Sequence, residues 1–345
     1  MMPSAKIADT PASPSFMHPE GENVIFLLGA PRSGTTWLAK IFDSHPQVLY
    51  RHEPDTVLRN DRIPYLCARE DVPKYRDEAR RYLSELMDVR TLKAAGSLPQ
   101  FPKAYYGTFG RGLREGIVYS LRAVDAISRG NPWARRVSIP DLLECTPAMR
   151  PIIVFKSVNS RGRARLFAEA LPKGRIVFII RHPCGQVASM LQGLRSGKFE
   201  NKAAFRKVVT IEEGQKFGLT EQRFADFSPI QQCAWHWAVM NQKALNDLAG
   251  LGKDRVMVLR YEDACAEPER VAKELFTFGG LDWNDQTAAF VRESTTAPDT
   301  DKFYRVNRDS LAAANKWRTK LSAEDQQCIL DIAMRAPAGE MFASA

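Results

Sequence analysis

Asn23 to Thr36 reads NVIFLLGAPRSGTT, an apolar run of strand length that empties into a glycine-bounded loop and then into residues suited to open a helix. A helix start leaves backbone N–H groups without partners and carries partial positive charge, so a loop wrapped over it forms a socket for an anionic group. Gly29 and Gly34 stand where the phosphate-loop pattern G-x-x-x-x-G-K-S/T has its glycines, and Thr36 stands at its hydroxyl position. Thr35 occupies the place of the lysine, which leaves Arg32 as the cation of the loop. Enzymes that move the terminal phosphoryl group of a nucleoside triphosphate normally rely on that lysine together with Mg²⁺. A transferring sulfuryl group carries less charge, so loop N–H groups and side-chain cations can stabilise it without a metal. The loop therefore reads as a holder for a phosphosulfate. The plain alternative is a glycine turn that only joins a strand to a helix.

A second segment repeats the theme. In RIVFIIRHPCGQVASML, Arg181 falls at the end of an apolar run, Pro183 suits a helix start, and Ser189 lies two turns into that helix. A guanidinium with a hydroxyl beside it is good chemistry for a fixed phosphate. Lys156, at the end of another apolar run, supplies a further cation, with a solvated strand-end lysine as the plain reading.

Together these two segments resemble the sulfotransferase family that uses 3′-phosphoadenosine 5′-phosphosulfate as donor. There the first loop, P-R/K-S-G-T-T, grips the 5′-phosphosulfate. The second, R-x-P-x-x-x-x-x-S, grips the 3′-phosphate and is matched here by Arg181, Pro183 and Ser189. The segment FDSHPQVLYRHEP is similar to the carbohydrate and tyrosylprotein branches, in which a glutamate near this spacing is the general base. VLRYEDACAEPE, residues 258–269, is similar to the RYEDL segment of these enzymes. The histidine of the small-molecule branch is absent from Lys156-Ser157-Val158, which favours Glu53 as the base, with His52 in reserve. The resemblance implies donor binding by Arg32, Ser33, Gly34, Thr35, Thr36, Trp37, Arg181, Ser189 and Arg308, and catalysis by Glu53, Arg32 and Lys156. It implies sulfuryl transfer to a hydroxyl acceptor, a carbohydrate by branch, with no metal and no nucleic acid involved. Residues 295–322 correspond loosely to a segment that closes over the nucleotide, with Tyr304 and Trp317 read as core or surface aromatics.

Composition sets the outer bounds. The chain has 345 residues, 44% of them hydrophobic and 26% charged, enough to bury a substantial core. A net charge of +9 favours anionic partners. Two rivals fit that charge: a phosphate-loop kinase and a non-catalytic polyanion-binding protein. Six cysteines show no C-x-x-C pair or metal-ligand spacing, the pattern of reduced thiols in a cytoplasmic protein. No run is long enough to span a membrane.

The elements that must position these residues alternate. Strand-like runs at 151–155, 175–180 and 255–259 follow the first, nearly continuous in apolar residues, as in strands buried on both faces of a parallel sheet. Helical patterns separate them: 36–43, 183–194, a long helix from Pro229 to Ala249 capped by Ser228, and one opened by Ser322 and Asp325. Trp235 and Trp237 read as core packing. The expected fold is α/β, a phosphate-loop-like parallel sheet flanked by helices. A disordered tail is expected over 1–22 and one domain over 23–345. Within it, 57–150 is read as a helical, aromatic-rich insertion between the first and second strands and 195–227 as another, both near the acceptor.

Overall fold

The computed structural model describes residues 17–128, 135–142, 150–195, 206–296 and 310–343. In chain order the elements used below are β1 (Val24–Gly29), α1 (Thr35–Asp43), β2 (Val48–His52), α2 (Pro54–Val57), α3 (Val72–Met87), α4 (Leu92–Ala95) and α5 (Thr108–Ile127). They continue with β3 (Ile152–Ser157), α6 (Ala164–Ala170), β4 (Arg175–Ile180), α7 (Pro183–Arg195), α8 (Pro229–Leu248), β5 (Val256–Arg260) and α9 (Tyr261–Ala266).

The five strands form one sheet in the order β2-β3-β1-β4-β5, and every neighbouring pair is parallel. Alternation along β1 divides the core: Phe26 and Leu28 join α3, α6 and α8 on one face, while Ile25 and Leu27 join α1 on the other. Burial on both faces is why these strands read as unbroken apolar runs. Because all strands point the same way, the loops after β1, β2, β3 and β4 gather at one carboxyl edge, where ligands of open α/β sheets sit. Register places Leu27 and His52 on either side of Lys156 at that edge.

Helices follow from local chemistry. α1 starts directly after Gly34, and all its residues but Thr36 are buried. Ser228 caps α8 with a reciprocal Gln231 contact, as a capping box requires, and Trp235 and Trp237 pack in the core as expected. Ser322 Oγ accepts the Asp325 N–H at 3.0 Å and opens the helix Ala323–Ala333.

Three expectations are corrected. The second strand in the chain is β2, so the long helical insertion lies between the second and third strands. β2 hides from pattern reading because Arg51 interrupts its apolar run; Arg51 is fully buried and pairs with Asp141 at 2.6 Å. β5 is an edge strand whose Val258 is 38% exposed, so it is not buried on both faces. Residues 17–22 are ordered: Gly21, at φ 80, turns the chain into β1, and Met17 is buried in the core. Residues 1–16 lie outside the described residues. In the basic segment after α7, Val208, Leu219 and Phe224 enter the core.

Candidate active site

The first loop is built by backbone conformations that side chains resist. Gly34 has φ 87, and a Cβ there would stand 2.2 Å from the Tyr261 ring. A Cβ on Gly29 would meet Thr35 Cγ2 at 2.7 Å and Ser33 Oγ at 2.8 Å. Both glycines are thus required by close approach. Arg32 is itself left-handed, at φ 73. Left-handed residues in such a loop turn successive N–H groups toward a common concavity, the shape that receives phosphate-like anions. Ser33 Oγ closes the loop by donating to Ala30 O at 2.7 Å. Ser33 and Thr35 are buried, while Arg32, Gly34 and Thr36 retain partial exposure.

The second motif is joined to the first. Arg32 Nε donates to Ser189 Oγ at 2.8 Å, and Arg181 Nη1 donates to the Arg32 carbonyl at 2.9 Å. The segments come from the turns after β1 and β4, neighbours in the sheet. Arg181 is 8% exposed, lies over the Tyr261 ring at 4.8 Å, and has a buried Nε with no hydrogen-bond partner among the described residues. An orphaned guanidinium N–H at a predicted phosphate site fits a phosphate there. From its left-handed backbone the Arg32 side chain lies toward α7 and Ser189.

The RYED segment braces both loops, a role the sequence did not reveal. Tyr261 packs against Gly34 and under Arg181, and Glu262 Oε1 accepts the His182 N–H at 3.0 Å. Burial raises the Glu262 carboxyl above its ordinary value, against the pull of Arg181. Trp317 stacks on His182 with centroids 4.4 Å apart, and Arg181 Nη2 donates to Ala313 O at 3.0 Å, so the chain after 310 covers this turn. Trp317 is core, as read. Arg308 and Tyr304 lie outside the described residues.

Trp37 stands in the first turn of α1. Its ring is 5% exposed, meets Tyr261 edge-on and donates Nε1–H to Ser294 Oγ at 3.0 Å. Its place in the first turn of a buried helix packs the side chain against the core.

Glu53 and Lys156 meet at the adjoining strand ends. The Glu53 N–H continues the β2–β3 pairing by donating to Lys156 O at 2.8 Å, and Lys156 Nζ donates to Glu53 Oε1. Lys93, from α4, takes the other oxygen, Oε2, at 3.1 Å. Glu53 has φ 47, a conformation that costs a residue with a Cβ roughly 1–2 kcal/mol and is held by its surroundings. Burial pushes its carboxyl up, but the charges of Lys156 and Lys93 and the Lys156 hydrogen bond outweigh it and hold the pKa at about 2. Burial also lowers the Lys156 ammonium, so the pair favours the carboxylate more than the cation. His52, 2.7 Å from the Tyr50 hydroxyl through Nδ1, is lowered to about 3 by burial and by Lys156, and is a neutral imidazole near pH 7.

Two residues here escaped sequence reading. Lys93 sits in a four-residue helix of the insertion with no motif around it. Asp55 accepts from Ser157 Oγ and, at 2.7 Å, from Ser160 Oγ, tying α2 to the end of β3. Its adjacency to Glu53-Pro54 was the available signal. Among the described residues, one metal-like cluster occurs, His18, Glu20 and Glu22, in the segment that leads into β1.

Comparison with known proteins agrees with this geometry. The family model described as "Sulfotransferase family" matches residues 24–285. The chain is 24% identical to mouse carbohydrate sulfotransferase 5, over 90% of this chain and 78% of that one. It is 22% identical to the Drosophila melanogaster protein-tyrosine sulfotransferase, over 90% of this chain and 50% of that one. Among solved structures, the sulfotransferase domain from the curacin biosynthetic pathway superposes over 91% of this chain and 98% of that one, with a TM-score of 0.42 and 16% identity. With both loop motifs inside the matched span, the chain belongs to the sulfotransferase family.

Proposed function

We propose that the protein moves a sulfuryl group from 3′-phosphoadenosine 5′-phosphosulfate to a hydroxyl of a carbohydrate. The observation that carries this reading is the direct linkage of two anion-type loops, through Arg32 to Ser189 and Arg181 to the Arg32 carbonyl. One nucleotide with phosphates at both ends has the chemistry such a pair would recognise. The carbohydrate acceptor rests on the kinship with mouse carbohydrate sulfotransferase 5.

The loop N–H groups with Ser33, Thr35 and Thr36 hold the 5′-phosphosulfate, and Arg181 with Ser189 holds the 3′-phosphate. The acceptor oxygen attacks sulfur as its proton passes to Glu53. The bond from sulfur to the bridging oxygen breaks in the same step, and adenosine 3′,5′-bisphosphate leaves. Lys156, with Arg32 drawn from Ser189, stabilises charge on the sulfuryl and bridging oxygens. A carboxylate with a pKa near 2 is a weak base, but Lys156 is the chief cause of that value. As sulfuryl oxygens attract Lys156, burial remains and pushes Glu53 upward, strengthening the base where the proton is released.

No metal enters this scheme, because the charge it must offset is within reach of these cations. A cytoplasmic setting is supported by the free thiols of Cys67, Cys184, Cys233, Cys265 and Cys328. No helix among the described residues is long and apolar enough to cross a membrane.

The test is incubation with labelled phosphosulfate donor and a panel of carbohydrate alcohols in EDTA. Labelled product in chelator is the expected result. Dependence on ATP and Mg²⁺, or donor binding without turnover of any alcohol, contradicts the proposal.

A further inference from the structure

Where the insertion folds onto α1, three cations meet one carboxylate away from water. The side chains of Lys40, Lys103 and Arg114 are buried, as is that of Asp43. Both lysines are ammonium ions, because every partner is an acceptor. Lys40 Nζ donates to Asp43 Oδ2 at 2.6 Å and to the carbonyls of Ser97 and Pro99, both at 2.8 Å. Lys103 Nζ donates to Asp43 Oδ1 at 2.9 Å, to His45 O at 3.2 Å and to Asp43 O. Three acceptors use all three protons of each ammonium and require its charge.

Arg114 has neutral partners only. Its terminal nitrogens donate to Ala95 O at 2.7 Å and to Gln100 Oε1, while its buried Nε has no hydrogen-bond partner among the described residues. Asp141, the other buried carboxylate of this region, is committed to Arg51 at 2.6 Å. Two positive charges are thus left over where an unmatched charge is expensive. Burial lowers both ammonium groups below their ordinary range, and Arg114 pushes the same way. The Phe101 ring lies 5.6 Å from Lys40 Nζ and the Tyr106 ring 5.5 Å from the Arg114 guanidinium, but ring faces carry no net charge.

A cavity of about 20 Å³ lies at this junction, with Asp43, Ser97, Gln100, Lys103, Tyr106 and Arg114 on its wall. That volume holds one water or an ion of similar size, and it excludes sulfate and phosphate. A water would satisfy Arg114 Nε but leave the charge unanswered. A small anion does both.

We propose that this cavity binds one small monovalent anion, chloride in solution, held by Arg114 Nε and offsetting the surplus charge of Lys40, Lys103 and Arg114. The same wall carries the Ser97 and Tyr106 hydroxyls as further donors. The anion fastens residues 95–114 of the insertion to α1. None of the residues on the wall belongs to the two loops, and neither Glu53, Lys156 nor Lys93 lines it, so the site stands or falls apart from the proposed function.

The test is a urea melt of the full chain at fixed ionic strength, with chloride exchanged for gluconate, which is too large for the cavity. Millimolar affinity predicts a folding equilibrium constant roughly 10–100-fold larger at about 100 mM chloride, with a response that saturates as chloride rises. A crystal soaked in bromide should show one anomalous peak beside Arg114 Nε. Arg114→Gln should remove both the chloride response and the peak. Arg114 also anchors Ala95, so if that variant does not fold, the titration and the bromide crystal of the unaltered protein decide. Equal stability in chloride and gluconate, absence of the peak, or a chloride response that persists in folded Arg114→Gln overturns the inference. A bromide peak with no response in solution, an adventitious ion only, overturns it as well.

Discussion

Glu53→Gln separates the proposed base from every structural duty it has. The amide keeps the size and one carbonyl oxygen for Lys156, but it cannot take a proton at neutral pH. Loss of a positioned general base costs about 10²–10⁴ in rate, or roughly 3–5 kcal/mol of barrier. Stability changes as well. A carboxyl held at about 2 against an ordinary 4.5 favours the fold by about 3 kcal/mol at neutral pH. Lys156 is disfavoured by its burial, so the net loss on substitution is smaller, about 1–2 kcal/mol. Glu53 lies at the β2 end, across from Lys156 and apart from the Arg32–Ser189 pair, so affinity for adenosine 3′,5′-bisphosphate should change by less than three-fold or so. Three measurements decide: kcat from labelled sulfuryl transfer, nucleotide affinity by calorimetry, and a urea melt. A variant that keeps kcat within about three-fold of the parent refutes the assignment of the base.

Other perturbations follow from the same contacts. Arg181→Ala removes the donors to Arg32 O and Ala313 O and the face over Tyr261, and should weaken adenosine 3′,5′-bisphosphate binding by at least about ten-fold by calorimetry. Gly34→Ala places a Cβ against Tyr261 at a left-handed position, at a cost of about 2–5 kcal/mol, read as a lowered urea midpoint with loss of donor binding. For pH, the Glu53 carboxyl is depressed in the fold, so its contribution is complete above about 4.5 and is lost as pH falls toward 2; acid unfolding of Glu53→Gln should be flatter across that window. His52, lowered to about 3, contributes no step near its ordinary 6.5, so His52→Gln should leave the shape of the kcat profile between pH 5 and 8 unchanged.

What the sequence made legible was what repeats locally. An unbroken apolar run, a glycine whose Cβ has no room, and a cation at a strand end are visible without contacts, and they mark β1 with its loop and β4 with Arg181 and Ser189. What stayed hidden depends on distant partners. β2 contains a fully buried arginine whose counter-charge, Asp141, lies 90 residues away. The packing of Trp37 is set by Ser294 and Tyr261, both far from it in the chain. Lys93 matters only because the insertion folds back on Glu53, and Tyr261 with Glu262 matter because α9 begins under both loops at once. Local pattern fixes an element's type; which neighbour it meets is set by topology.

The account turns most directly on where one nucleotide sits. A crystal structure with adenosine 3′,5′-bisphosphate should show the 5′-phosphate over residues 30–36 and the 3′-phosphate at Arg181 and Ser189, with the 5′ end directed toward Lys156 and Glu53. A nucleotide bound elsewhere, or one that reaches a single loop and leaves the other empty, would contradict it.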